Sequence, residues 1–149
     1  MLQIKNSKIT IYTDGACKKN PGPGGWAAIL IYAEQEKIIT GSEDYTTNNR
    51  MELLSVINAL QLLKRESKVD LYTDSQYVSK GISVWLPKWQ VKDWKTANGS
   101  KVKNQDLWES LNLLVQGHNI HWYWVKAHNG DLYNERVDKL AREAIKCVK

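Results

Sequence analysis

Ile9-Thr10-Ile11-Tyr12-Thr13-Asp14 and, further along, Val69-Asp70-Leu71-Tyr72-Thr73-Asp74 decide the fold, because each alternates residues with a period of two and ends on the same tripeptide, Tyr-Thr-Asp. Period-two alternation predicts strands, so each acid stands at a strand's C-terminal end. If the two strands are parallel neighbours, their carboxylates meet at one sheet edge, where ligands of open α/β sheets commonly bind. Either aspartate alone reads as an ordinary turn or helix cap. Two held together repel each other, and a bound cation offsets that repulsion. Oxygen donors without cysteine or paired histidine select hard ions, magnesium or manganese, over zinc.

Around these strands the chain alternates in type. Asn20-Pro21-Gly22-Pro23-Gly24-Gly25 is dense in turn formers, Trp26 to Tyr32 reads as a buried strand, and Lys37 to Asp44 as a third returning beside it. Thr47 is the expected N-cap of a long amphipathic helix running to about Lys64, with Glu52 in its first two turns. After Asp74 comes a short helix through Lys80, with Gly81 as its stop. Trp85 to Lys103 has three tryptophans, Trp85, Trp89 and Trp94, and five lysines, Lys88, Lys92, Lys95, Lys101 and Lys103, with little periodicity; a protruding element is expected. Leu107, Leu111 and Leu114 mark a helix stopped by Gly117, Ile120 to Val125 a last strand, and Lys126 to Tyr133 a loop before a final helix on Val137, Leu140, Ala141 and Ala144. This order predicts an α/β fold: a mixed five-stranded sheet, three antiparallel strands followed by parallel crossovers, packed by helices on both faces and carrying a basic protrusion.

At 149 residues the chain suits one domain, 1–149. Lys and Arg number 21 against 16 Asp and Glu, and the net charge of +5 favours a polyanionic partner. Cys17 and Cys147 lie outside any disulfide framework or metal-ligand spacing. With no apolar signal core near the N-terminus and no apolar run long enough to span a bilayer, a cytoplasmic location without membrane association is expected.

Glu52 and Asp138 are the acids best placed to join Asp14 and Asp74, although helix-dipole placement and a salt bridge with Arg142 would account for them as well. Five segments decide the matter: Tyr12-Thr13-Asp14-Gly15-Ala16-Cys17, Asn20 to Gly25, Thr47-Asn48-Asn49-Arg50-Met51-Glu52, Thr73-Asp74-Ser75-Gln76-Tyr77-Val78 and Asn134-Glu135-Arg136-Val137-Asp138. In order and spacing they resemble the signature segments of bacterial type 1 ribonuclease H, of the retroviral-integrase-like polynucleotidyl transferase superfamily, from about Ile9 to Ala144. The resemblance implies a magnesium-dependent endonuclease that hydrolyses the RNA strand of RNA/DNA hybrids with two metal ions, leaving 3′-hydroxyl and 5′-phosphate ends. It implies that Asp14, Glu52, Asp74 and Asp138 are metal ligands, that manganese is a possible substitute, and that His128 is the catalytic histidine that takes or shuttles a proton. His118 and His121 match no family role.

By the same resemblance Cys17, Asn20, Asn48, Asn49 and Gln76 would line the minor-groove contacts that distinguish ribose from deoxyribose. Thr47 would hold a phosphate of the DNA strand and Trp85 would touch DNA, while Trp89 and Trp94 read as core of the protrusion. Gln90-Val91-Lys92-Asp93 interrupts the run of basic residues common in the family's protrusion, so weaker and less salt-sensitive hybrid binding is expected. A role in DNA replication and a monomer with no obligate protein partner complete the expectation. A noncatalytic hybrid-binding module, a DNA-junction nuclease and a basic domain with a structural ion are the alternatives, against which stand the intact acids and the asparagine cluster.

Overall fold

The computed structural model describes residues 8–96, 99–126 and 131–146. In chain order these form β1 (Lys8–Cys17), β2 (Gly22–Tyr32), β3 (Gln35–Thr46), α1 (Asn48–Gln61), β4 (Lys68–Thr73), α2 (Gln76–Lys80), a π-helical turn (Gly81–Trp85), α3 (Leu86–Val91), α4 (Gln105–Gln116), β5 (Asn119–Trp124) and α5 (Leu132–Ala144). The five strands make one sheet in the order β3-β2-β1-β4-β5, with β1, β2 and β3 antiparallel, β4 paired in parallel with β1 and β5 in parallel with β4. Tyr12 pairs with Tyr72, so the two Tyr-Thr-Asp tripeptides lie side by side and end at the same sheet edge.

Alternation along the strands divides the sheet's two faces. One face, with Ile11, Val69 and Leu71, packs under α1 and α4 around the fully buried Trp108, Leu53 and Leu60. On the other face, Ala27 and Ile29 pack against Val137 and Ala141 of α5. Three caps fix where helices begin: Thr47 Oγ1 accepts the Arg50 N–H at 3.2 Å, Ser75 Oγ that of Val78 at 3.1 Å, and Asp131 Oδ1 that of Asn134 at 2.9 Å.

Three boundaries differ from the sequence reading. Gly22 to Gly25 belongs to β2 rather than to a turn, and it pairs on both sides with a bulge between Gly22 and Gly24. A side chain at Gly25 would meet the Ala141 carbonyl at 2.4 Å, so glycine there permits a close strand-to-helix approach. Nor does Gly81 stop a helix. Its backbone is right-handed helical (φ −61°, ψ −47°) and the rod runs on through the π-turn into α3. A Cβ at this position would lie 1.9 Å from the Trp108 ring, so glycine is required for packing. The loop before α5 is also shorter than expected, since the Asp131 cap starts that helix at Leu132.

Candidate active site

Asp14 extends from β1, Asp74 follows β4, and Glu52 comes from the first turns of α1, which packs directly on β1. One carboxylate oxygen from each lies within 4.8 Å of the others. The approach of α1 depends on Gly15, where a Cβ would sit 2.5 Å from the backbone of Met51 and Glu52. Asp14 is 3% exposed and Glu52 6%, and the Glu52 Oε1 atom has no hydrogen-bond partner among the described residues. Asp14 Oδ1 accepts the Gly15 N–H at 2.9 Å.

Burial, then the neighbouring charge of Asp74 and a side-chain hydrogen bond with Asp138, pushes the Asp14 pKa up to about 8. Burial and the charges of Asp14 and Asp74 hold Glu52 well above the ordinary carboxylate range. Asp138, on α5, thus reaches Asp14 from the opposite face, and its Oδ2 also accepts the Arg142 Nε–H at 3.1 Å. The ion pair that could have accounted for Asp138 is therefore present, and the group of carboxylates within 4.8 Å of one another comprises Asp14, Glu52 and Asp74 without Asp138. His128 lies outside the described residues.

A second feature lies where β3 passes into α1. Asn20, Thr47, Asn49, Lys103 and Asn104 line a pocket of about 360 Å³. Asn20 Oδ1 accepts the Asn48 N–H at 2.9 Å, Thr47 Oγ1 accepts the Arg50 N–H, and Asn104 Oδ1 accepts Arg50 Nη1–H at 3.1 Å. Backbone N–H and guanidinium groups only donate, so these partners fix the amide orientations. With these oxygens engaged, the groups that Asn20, Thr47 and Asn104 have left to offer a ligand are donors, one Asn104 N–H being already given to the Tyr77 hydroxyl, and Lys103 lines the same pocket. Asn104 and Lys103 were missed as pocket residues, and the only local signal is an asparagine just before a helix start. Cys17, beside this region, points its thiol toward the carbonyls of Thr46 and Gly22 at 3.4 and 3.5 Å. Burial raises its pKa. Asn48 does not line the pocket, and Gln76 is exposed at the start of α2.

All five lysines of the protruding segment line one groove of about 900 Å³ with Trp85 and Trp89. Trp89 and Trp94 pack on the core, as the sequence suggests, and the rings of Trp85, Trp89 and Trp94 follow one another at 5.8 and 6.2 Å.

Comparison with known proteins agrees with this arrangement. Residues 6–146 match the RNase H family model. The chain is 58% identical to a ribonuclease H of Ehrlichia chaffeensis over 139 residues, covering 93% of this chain and 95% of that protein. It is 56% identical to ribonuclease HI of Caulobacter vibrioides over 139 residues, covering 93% of each. The crystal structure of LC9-RNase H1, described as a type 1 RNase H with the type 2 active-site motif, superposes with a TM-score of 0.85 at 31% identity, over 97% of this chain and 74% of that one. The chain belongs to the RNase H family. It is accordingly an enzyme, an endonuclease that degrades the RNA strand of RNA/DNA hybrids.

Proposed function

We propose that Asp14, Glu52, Asp74 and Asp138 together hold two magnesium ions for this hydrolysis. The observation that carries the reading is a buried Glu52 oxygen without a partner among the described residues, on a side chain clustered with two further carboxylates. An unpaired buried acceptor among like charges is costly, and a hard cation removes both costs. When bound, the ions supply an activated water and stabilise charge on the phosphoryl group and the leaving 3′ oxygen, which yields 3′-hydroxyl and 5′-phosphate ends. Manganese is the expected substitute. The chain's own part is to hold the carboxylates at fixed spacing on rigid elements, with Glu52 and Asp14 shielded from water. His128 would move a proton at the scissile phosphate.

The donor-lined pocket supports Thr47 as a holder of a DNA-strand phosphate, since an oxyanion accepts from every group that faces it. Cys17, Asn20, Asn48, Asn49 and Gln76 would meet the minor groove. Trp85 would pack against DNA in the lysine groove. The chain 1–149 would act as one domain, a cytoplasmic monomer serving DNA replication without an obligate protein partner. No helix among the described residues is long and apolar enough to cross a membrane.

Gel analysis of an end-labelled hybrid beside single-stranded RNA, both homoduplexes and a chelator control tests the assignment. Cleavage confined to the hybrid's RNA strand and abolished by the chelator is expected. Binding without cleavage would favour a noncatalytic module, and cleavage of DNA a junction nuclease. Val91, at the end of α3 in sequence between the groove-lining Trp89 and Lys92, is 85% exposed, so a basic residue there would be open to a polyanion. The slope of log affinity against log salt should therefore be shallower than for members with an unbroken basic run. Val91→Lys should steepen it by about 0.9. A wild-type slope as steep as theirs, unchanged by the substitution, would refute this.

A further inference from the structure

Arg50 does not line the donor pocket, yet two of the pocket's donor groups are oriented by it. Its backbone N–H engages the Thr47 oxygen, and its guanidinium engages Asn104 Oδ1. Asp106 grips the same guanidinium through both nitrogens, at 3.3 and 3.2 Å. On its other side Asn104 donates from Nδ2 to the Tyr77 hydroxyl at 3.1 Å, and that oxygen also receives the Trp108 Nε1–H at 3.0 Å. Trp108 is fully buried, so Tyr77 is a fixed reference point. Asn104 itself sits in the left-handed region (φ 59°) ahead of α4 and makes no capping bond there. Its Nδ2 gives one N–H to Tyr77 and keeps a second to offer a ligand in the pocket.

An asparagine amide is nearly symmetrical in shape, and only its partners decide which end a ligand meets. The donor-only Nη1 of Arg50, held in place by Asp106, favours one orientation for Asn104, with its oxygen toward the arginine and its NH2 group toward Tyr77. Were the amide to turn over, its oxygen would confront a phosphate oxygen and repel it.

We infer that Arg50, braced by Asp106, is a positioning residue that acts through Asn104, keeping the pocket's amide donor turned toward a phosphate of the substrate. This rests on the phosphate reading of the pocket given above. Arg50 follows Thr47 by three residues and precedes Glu52 by two, so the same helical turn carries the phosphate pocket and a carboxylate of the cluster. Through Arg50 that turn is tied to the start of α4.

A double-mutant cycle on hybrid binding tests the inference, using Arg50→Ala, Asn104→Gly and the pair, with glycine chosen because it tolerates the left-handed backbone. Each single substitution should weaken binding about tenfold, the loss of one hydrogen bond to a charged group. The pair should be no weaker than either single, and turnover of saturated enzyme should stay within about twofold of wild type. Because Asn104 is neutral, the salt slope should not change. A slope reduced by about 0.9 in Arg50→Ala would mean that the guanidinium itself meets a phosphate. That result, additive losses in the pair, or wild-type affinity of Arg50→Ala would overturn the inference. Wild-type affinity of Asn104→Gly would instead overturn the phosphate reading, and the inference with it. Asp106→Asn, which keeps every side-chain volume, should give about a threefold loss; full affinity there would overturn the brace even if Arg50→Ala did not fold.

Discussion

Asp14→Asn is expected to slow hybrid cleavage at least about a thousandfold, while its metal-free form melts at a higher temperature than the wild type. The rate loss follows because a neutral amide at the centre of the cluster holds divalent cations weakly, and transition-state charge then goes uncompensated by several kcal/mol. The stability gain has the opposite origin. Asp14 titrates at about 8 instead of 3.8, through burial first and the Asp74 charge second. A carboxyl whose folded pKa lies above its unfolded value binds more protons in the folded state. The contribution of Asp14 to the stability of the metal-free wild type should therefore be full below about pH 4 and be lost as pH rises toward 8. Relief of about 1–2 kcal/mol of repulsion at pH 8 corresponds to a rise of roughly 2–8 °C in Tm. Magnesium should raise the wild-type Tm at pH 8 in proportion to the logarithm of its concentration above Kd and leave Asp14→Asn nearly unchanged. Calorimetric melts at pH 5 and pH 8, with magnesium and with chelator, check these signs. A metal-free Tm that rises with pH over this interval, or a variant less stable than wild type at pH 8, would contradict them.

Gly15→Ala should be nearly as damaging, by a different route. The added Cβ would stand 2.5 Å from the backbone carbon of Met51 and the backbone nitrogen of Glu52. No rotamer relieves such a clash, because the atoms belong to the main chain of α1 rather than to a flexible tip. The helix must retreat from β1, at about 3 kcal/mol, the upper end of the usual overpacking cost. As it retreats Glu52 moves away from Asp14, so the magnesium concentration for half-maximal cleavage should rise at least about tenfold. A metal titration of cleavage rate, run below the variant's Tm, separates the two effects. Unchanged metal dependence in a destabilised variant would mean that Gly15 serves packing alone.

How far the sequence reveals this architecture depends on the range of the interaction. Strand alternation is local, so two strands each ending in Tyr-Thr-Asp are legible in the sequence, whereas their meeting at one sheet edge depends on the long-range parallel pairing of β1 with β4. The Thr47 cap and the apolar stripe of α1 were legible for the same reason. Glu52 and Asp138 are different: nothing local distinguishes either from a surface acid, and only likeness to a family pointed to the cluster. Gly81 misled because a glycine after a short amphipathic stretch has the pattern of a helix stop, whereas its cause lies across the core at Trp108. Gly22 to Gly25 misled similarly, turn chemistry masking a strand pressed against α5. Asn104 was silent because its meaning comes from Arg50, 54 residues away.

The most direct measurement is the initial rate at which the RNA strand of an end-labelled hybrid is cut as magnesium is titrated into metal-free enzyme. With Asp14, Glu52, Asp74 and Asp138 as ligands of catalytic ions, the rate should start at background, rise saturably with magnesium, and return to background when chelator is added. A rate in chelator equal to that in magnesium would contradict the assignment, since it would leave the clustered carboxylates without a cation to hold.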